Sequence, residues 1–264
     1  MNQFLRDGIR LRIDDADGSG QPVIFQHGLC GDAKQTAEVF PADPRFRRFT
    51  LECRGHGGSE AGDPARFSIA TFADDLIAII DPRGLGPCVI GGISMGAAIA
   101  LRIAVKRPDL ILGLILARPA WVTEAAPVNM APNAEVGALI AKGGSREAFE
   151  NGPTAKHLAK AAPDNLASLL SFFDRKPLAT TAALLQAISA DGPGVTEAEV
   201  RAIRVPTLVI GIGRDFVHPL AHAETFAALI PNSKLAVITA KADDRARYVA
   251  DFQLALKHFL KDFA

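Results

Sequence analysis

Gly92-Ile93-Ser94-Met95-Gly96 lies between an apolar run, Pro87-Cys88-Val89-Ile90-Gly91, and a run of helix formers, Ala97-Ala98-Ile99-Ala100-Leu101-Arg102. A G-x-S-x-G pentapeptide at a strand-to-helix junction is the pattern of a nucleophile elbow. The turn is so sharp that small residues must flank the serine, and its hydroxyl stands exposed above a sheet. The stretch therefore predicts a buried strand, a tight turn and a helix, with Ser94 as the candidate nucleophile.

Outward from the elbow, the same alternation recurs. Ile9 to Ile13 reads as an outer strand, followed by a polar turn at Asp14-Asp15-Ala16-Asp17-Gly18-Ser19-Gly20. Pro22 to Phe25 is a short buried strand. It ends in the glycine-punctuated loop Gln26-His27-Gly28-Leu29-Cys30-Gly31-Asp32, which leads into a helix. Phe49 to Cys53 is another strand, ending in Arg54-Gly55-His56-Gly57-Gly58-Ser59. Ile69, Phe72, Leu76 and Ile80 recur at helical spacing and predict a helix over 68–80. Leu110 to Ala117, Pro206 to Gly211 and Lys234 to Thr239 read as later strands, with helices over 220–230 and about 244–263. Strands apolar on both faces and alternating with helices imply an α/β protein with a mostly parallel sheet covered on both sides.

The rhythm breaks between 121 and 203, where helical runs such as Leu166-Leu169-Leu170-Phe173 and Leu178-Ala182-Leu185-Ile188 occur without a convincing strand. The expected organisation is a core of 1–120 and 204–264, with 121–203 as a helical cap over the carboxyl ends of the strands. An open α/β sheet binds its ligand there.

Bulk properties exclude several classes. Twenty-nine basic residues balance 29 acidic ones, and no basic cluster points to nucleic acid or an anionic membrane surface. Hydrophobic residues make up 48%, enough for a compact core rather than a disordered chain. Three cysteines, Cys30, Cys53 and Cys88, have neither disulfide-framework nor metal-ligand spacing. The N-terminus has no signal-peptide pattern, and no apolar run nears the ~20 residues of a membrane span. The expectation is a cytoplasmic protein without cofactor or metal, acting on a small molecule and binding neither nucleic acid nor membrane.

His27-Gly28 with its loop, Arg54-Gly55-His56-Gly57-Gly58-Ser59, the elbow at Ser94, and Pro206 through Asp215 together resemble the α/β-hydrolase superfamily nearly end to end. That resemblance implies an α/β-hydrolase fold with nucleophile, acid and histidine in that chain order. It implies an oxyanion hole from the main-chain N–H groups of Leu29 and Met95, each worth about 3–4 kcal/mol of barrier. It also assigns the acid position to Asp215. His56 and Arg54 are then loop-structuring residues, and Glu52 stands where an aspartate is commoner.

The departure from the family lies at the end of the chain. The family's last strand runs into a glycine-containing turn and the catalytic histidine. Here the strand runs into Thr239-Ala240-Lys241-Ala242-Asp243-Asp244-Arg245, with Asp243 nearest the histidine's place and like charge expected beside Asp215. An aspartate, with an ordinary pKa of ~3.9, is no substitute base near neutral pH. His218, three residues after Asp215, is the candidate to compensate, either as a displaced base or as a residue that shapes the pocket or touches substrate. His27, Trp121 and Lys241 are candidate substrate contacts, and Arg118 and Phe173 candidate wall residues beneath a mostly apolar ceiling. The functions in view are hydrolysis of a small ester, lactone or related acyl compound, a catalytically silent ligand receptor, and a non-hydrolytic lyase or C–C cleaving reaction.

Overall fold

The computed structural model of the chain describes residues 2–16 and 18–264. Met1, and Asp17 inside the turn expected at 14–20, lie outside it. The strands among the described residues are β1 (Gln3–Arg6), β2 (Ile9–Asp15), β3 (Gln21–Gln26), β4 (Phe46–Leu51), β5 (Cys88–Ile93), β6 (Ile111–Ala117), β7 (Thr207–Ile212) and β8 (Ser233–Ile238). They form one sheet in the order β1-β2-β4-β3-β5-β6-β7-β8. β1 and β2 join antiparallel, as do β2 and β4, and every other neighbouring pair is parallel. The direction of winding reverses between β3 and β5. This is where a doubly wound sheet opens a crevice at its carboxyl ends.

The strand-to-strand alternation explains the two-sided core. In β5, Cys88 and Ile90 face one hydrophobic cluster, while Val89 and Ile93 face the other. In β6, Leu114 and Leu116 divide from Ile115 and Ala117 in the same way, as a period of two requires. Helices α2 (Ile69–Ile80), α3 (Met95–Lys106) and α10 (Leu220–Leu229) cover the first face; α1 (Ala33–Val39) and α11 (Arg245–Leu260) cover the second. The start of α2 follows from Ser68, whose hydroxyl caps the helix by accepting the Thr71 N–H at 3.0 Å.

Among the departures from the sequence reading, β2 runs on through Asp14 and Asp15, which were expected in the turn. Strand β1 was not anticipated, because four residues are too few to display a period of two. It is held by antiparallel pairing of Gln3 to Arg6 with Arg12 to Ile9. Strand β4 begins at Phe46 rather than Phe49, because Arg48, which looks like a solvent residue, is buried. It donates to Asp14 at 2.5 Å and to Thr50 at 2.8 Å.

Between β6 and β7 lie α4 (Ala131–Ala141), α5 (Arg146–Glu150), α6 (Pro153–Ala161), α7 (Pro163–Ser171), α8 (Leu178–Ser189) and α9 (Glu197–Arg201). Val136, Ile140, Phe149, Leu158, Leu169 and Leu185 from these helices form a third hydrophobic cluster of their own. No helix among the described residues is long and apolar enough to cross a membrane.

Candidate active site

Ser94 sits between β5 and α3 with φ 57° and ψ −112°, a conformation that non-glycine residues hold only under constraint. The constraint is visible on both sides. A Cβ on Gly92 would meet the Gln26 carbonyl oxygen at 2.7 Å and the Gly96 backbone at 2.6 Å; one on Gly96 would meet the Gln26 oxygen at 2.3 Å. Only glycine permits β3 and the start of α3 to pack this closely. The Ser94 N–H is held by the Ala117 carbonyl at 2.9 Å.

The residue facing Ser94 comes from the loop after β7. His218 Nε2 lies 2.8 Å from Ser94 Oγ, and His218 Nδ1 lies 2.9 Å from Asp215 Oδ1. The loop folds back on itself because Asp215 Oδ1 also accepts the His218 N–H at 3.0 Å. An imidazole whose Nδ1 proton is donated to a carboxylate presents the Nε2 lone pair to the hydroxyl, an arrangement able to take its proton. Acid and histidine therefore both come from one seven-residue stretch of chain, not from two loops.

Asp215 carries more than a histidine. Its Oδ2 accepts from Arg118 Nε at 2.9 Å and from Arg118 Nη2 at 2.6 Å. Its Oδ1 accepts from Asn165 Nδ2 at 2.9 Å. The Asn165 Oδ1 in turn accepts the N–H groups of Phe216 at 2.7 Å and Val217 at 3.1 Å, so this α7 side chain pins the whole loop. Burial opposes the charge on Asp215, yet Arg118 and His218 hold its carboxyl far below the usual carboxylate range. For His218, burial depresses the pKa below the ordinary histidine value. Asp215 pulls it up, and Arg118, with Nη2 3.3 Å from Nδ1, pushes it further down.

Ser94, His218, Arg118 and Asn165 line a cavity of about 100 Å³, together with Gly28, Leu29, Gln35, Met130, Asn133, Asp164, Ser168, Leu169, Phe172 and Lys241, while Asp215 lies behind its wall. Among the described residues, neither the Leu29 N–H nor the Met95 N–H meets an acceptor. Lys241 is on the cavity wall but its ammonium is paired with Asp164 at 2.9 Å. Arg118 lies 3.8 Å from the other Asp164 oxygen.

Several expected contacts are not made. His27 is fully buried and away from the cavity wall; its Nδ1 donates to the Gly28 carbonyl at 2.9 Å and its Nε2 accepts the Cys53 N–H at 3.0 Å. It ties two loops together and has no face left for a substrate. Trp121 is in the core, its indole N–H donated to the Asp191 carbonyl at 2.9 Å. Phe172, not Phe173, reaches the cavity, and the ceiling is as polar as it is apolar, with Asn133, Asp164, Asn165 and Ser168 beside Met130, Leu169 and Phe172. Asp243 neither lines the cavity nor repels Asp215. It is half exposed and paired with Arg214, while Lys241 is the residue of that loop that turns inward.

The loop-structuring residues behave as their neighbours require. His56 Nε2 accepts the Cys30 N–H at 3.0 Å, and Arg54 chelates Asp75 through two 2.7 Å contacts. Glu52 is buried and accepts from Gly58 N–H at 2.6 Å and Arg12 at 2.9 Å. Burial pushes the Cys30 and Cys88 thiols up to about 12, so neither offers a thiolate near neutral pH. Among the described residues, no group of three or more His, Cys, Asp or Glu is placed to hold a metal ion. The polar cavity residues that the sequence did not flag are Gln35, Asn133, Asp164, Asn165 and Ser168. Nothing in their local pattern separates them from surface polar residues of a helix.

With this fold, and with a serine at the elbow facing an acid–histidine pair, the chain belongs to the alpha/beta hydrolase fold family, whose model matches residues 21–242. Over 242 residues it is 26% identical to the protein named "Putative carbamate hydrolase RutD" of Klebsiella pneumoniae, covering 86% of each chain. A shorter match, 31% identical over 130 residues, joins 48% of this chain to 40% of the mouse sn-1-specific diacylglycerol lipase ABHD11. Among solved structures, the enol-lactonase from Burkholderia xenovorans LB400 superposes with a TM-score of 0.73 at 22% identity, covering 98% of this chain and 99% of that one. That likeness is one of fold.

Proposed function

We propose that this protein hydrolyses a small ester, lactone or related acyl compound, with Ser94 as nucleophile, His218 as base and Asp215 as the acid that orients it. The observation that carries the reading is the unbroken chain from Ser94 Oγ to His218 Nε2 at 2.8 Å and from His218 Nδ1 to Asp215 at 2.9 Å. Ser94 Oγ attacks the substrate carbonyl carbon as its proton passes to His218 Nε2. The carbonyl π pair moves onto oxygen, where the Leu29 and Met95 N–H groups receive it. Collapse expels the alcohol oxygen, which takes the proton from His218 and leaves an acyl-serine. Water then attacks the acyl carbon, His218 takes its proton and returns it to Ser94, and the acid product departs. Asp215 stays ionised throughout.

The helices of 121–203 act as the cap in this reading, closing the cavity from above and supplying Asn165 to brace the acid loop. A cavity of about 100 Å³ limits the bound portion to a handful of heavy atoms. The ligand-receptor alternative drew its support from the missing histidine after β8, whereas a histidine within reach of Ser94 favours the hydrolytic reading. The test is turnover of a panel of short-chain esters and small lactones by the wild type and by Ser94→Ala. Loss of turnover by roughly 10⁴-fold or more in the variant is expected. Equal rates in the two proteins, or no turnover across the panel, would remove the reading.

A further inference from the structure

The loop after β3 satisfies its main-chain N–H groups one by one, and the exception is the one that faces the cavity. Gly28 N–H donates to Gln35 Oε1 at 2.7 Å, Cys30 N–H to His56 Nε2 at 3.0 Å, and Gly31 N–H to the Gly28 carbonyl at 3.0 Å. Leu29 N–H meets no acceptor among the described residues, and Leu29 lines the cavity. The Gly28 carbonyl also accepts from His27 Nδ1 at 2.9 Å. In a planar trans peptide the C=O and N–H point opposite ways, so drawing the Gly28 carbonyl back towards His27 and Gly31 turns the Leu29 N–H outward. Gly28 has no Cβ to restrict its backbone, and that orientation holds only while its own N–H is held as well. Gln35 is the residue that holds it.

We propose that Gln35 is a positioning residue for the oxyanion hole: its amide oxygen fixes Gly28, and through Gly28 it aims the Leu29 N–H at the carbonyl oxygen of a substrate over Ser94. The side chain is itself well placed and well anchored. It lines the cavity from α1, whose first turn is secured by Asp32, which accepts Lys34 N–H at 2.9 Å, and by Glu52, which accepts Ala33 N–H at 3.1 Å. Gly31 leaves it room, since a Cβ there would stand 2.7 Å from Gln35 Oε1. A Cβ on Gly28 would lie 3.4 Å from both Gln35 Oε1 and Ser94 Cβ, so the amide grips the loop right beside the nucleophile. Because the acceptor end must face the Gly28 N–H, the amide has one orientation. Charge gathers on the substrate oxygen only as Ser94 attacks, so a misaimed Leu29 N–H weakens the transition state more than the bound ester.

The inference rests on the hydrolytic reading of the same cavity, so it is tested by binding as well as by turnover. In the Ser94→Ala background, methyl acetate is titrated and the Leu29 amide proton followed by NMR; a carbonyl oxygen seated in the hole moves that resonance downfield. Adding Gln35→Met or Gln35→Ala, which offer no oxygen to Gly28, abolishes the movement. Adding Gln35→Glu instead, which keeps an oxygen for the Gly28 N–H, preserves it. With Ser94 intact, Gln35→Met lowers kcat for methyl acetate about 10- to 100-fold while KM changes by less than about threefold. A Leu29 amide that does not respond in Ser94→Ala, a response that persists with Gln35→Met and Gln35→Ala, or a response that Gln35→Glu also loses would each overturn the assignment, as would full kcat in Gln35→Met. A response that depends on Gln35 as described, with no Ser94-dependent turnover in any of the proteins, would count against the hydrolytic reading and leave the assignment of Gln35 standing.

Discussion

Replacing Arg118 with methionine separates two roles that the structure gives this side chain. The guanidinium makes contacts of 2.6 and 2.9 Å to Asp215 Oδ2 and lies 3.3 Å from His218 Nδ1. Its side chain is 8% exposed and that of Asp215 only 1%, so the pair is sheltered from water. Removing one partner of such a buried pair costs about 3–5 kcal/mol, because the remaining charge is left without compensation. Asp215 keeps Asn165 Nδ2, the His218 N–H and His218 Nδ1 as donors, which places the loss at the low end. About 3 kcal/mol corresponds to a fall of roughly 6–12 °C in melting temperature for a chain of this size. The second effect acts on His218. Burial lowers its pKa, Asp215 raises it and Arg118 lowers it, so without Arg118 the full charge of Asp215 acts on the imidazole and its pKa rises. The proposed role of His218 requires the neutral ring to accept the Ser94 proton, so the acid limb of the kcat/KM profile then moves to higher pH. The assays are thermal melting at pH 7.5 and ester turnover from pH 4.5 to 9. An acid limb that stays in place, or moves to lower pH, would refute the electrostatic reasoning, whatever the melting temperature.

Three further outcomes follow from the same geometry. Asp243→His, which restores histidine near the family's usual place, changes turnover by less than about twofold, since that side chain faces Arg214 and solvent rather than the cavity; a large gain would show that the loop alone withholds activity. Asn165→Ala leaves the Phe216 and Val217 N–H groups without an acceptor and loosens the acid loop; kcat drops about 10- to 100-fold, by analogy with lost outer-shell partners, and an unaltered kcat would remove Asn165 as a positioning residue. Acidification destabilises the fold through its buried histidines, for burial lowers the pKa of His27, His56, His218 and His222 below 6.5 in the folded state. Below that value the unfolded chain binds more protons, so stability is complete above pH 6.5 and is lost as pH falls towards the folded values. Urea midpoints at pH 7.5 and 5.5 check the sign, and a higher midpoint at 5.5 would reverse it.

The sequence made the sheet legible because each parallel strand is a short apolar run bounded by turn residues, and the elbow because its spacing is steric. Gly92 and Gly96 are required by a backbone approach that any Cβ would block, so they mark Ser94 without reference to the rest of the fold. Asp215 was assigned through the family resemblance, as the acidic residue three positions beyond the end of β7. What a linear pattern does not encode is which loops meet. His218 stands three residues from Asp215, and only the loop's return on Asp215 Oδ1 brings its ring to Ser94. Asn133 and Asn165 lie on helices of the 121–203 segment, whose orientation over the sheet is set by the packing of Val136, Leu169 and Leu185 rather than by any local signal. His27 and Trp121 misled for the opposite reason. Their types suggest contact with a ligand, but each is consumed by a backbone hydrogen bond inside the core.

The most direct measurement is the rate at which a fluorophosphonate labels Ser94 at neutral pH in the wild type and in His218→Ala, with Ser94→Ala as the blank. If His218 is the base, the wild type labels readily and His218→Ala labels about 10²- to 10⁴-fold more slowly while remaining folded. Labelling of His218→Ala at the wild-type rate would contradict the assignment and return the search to another base.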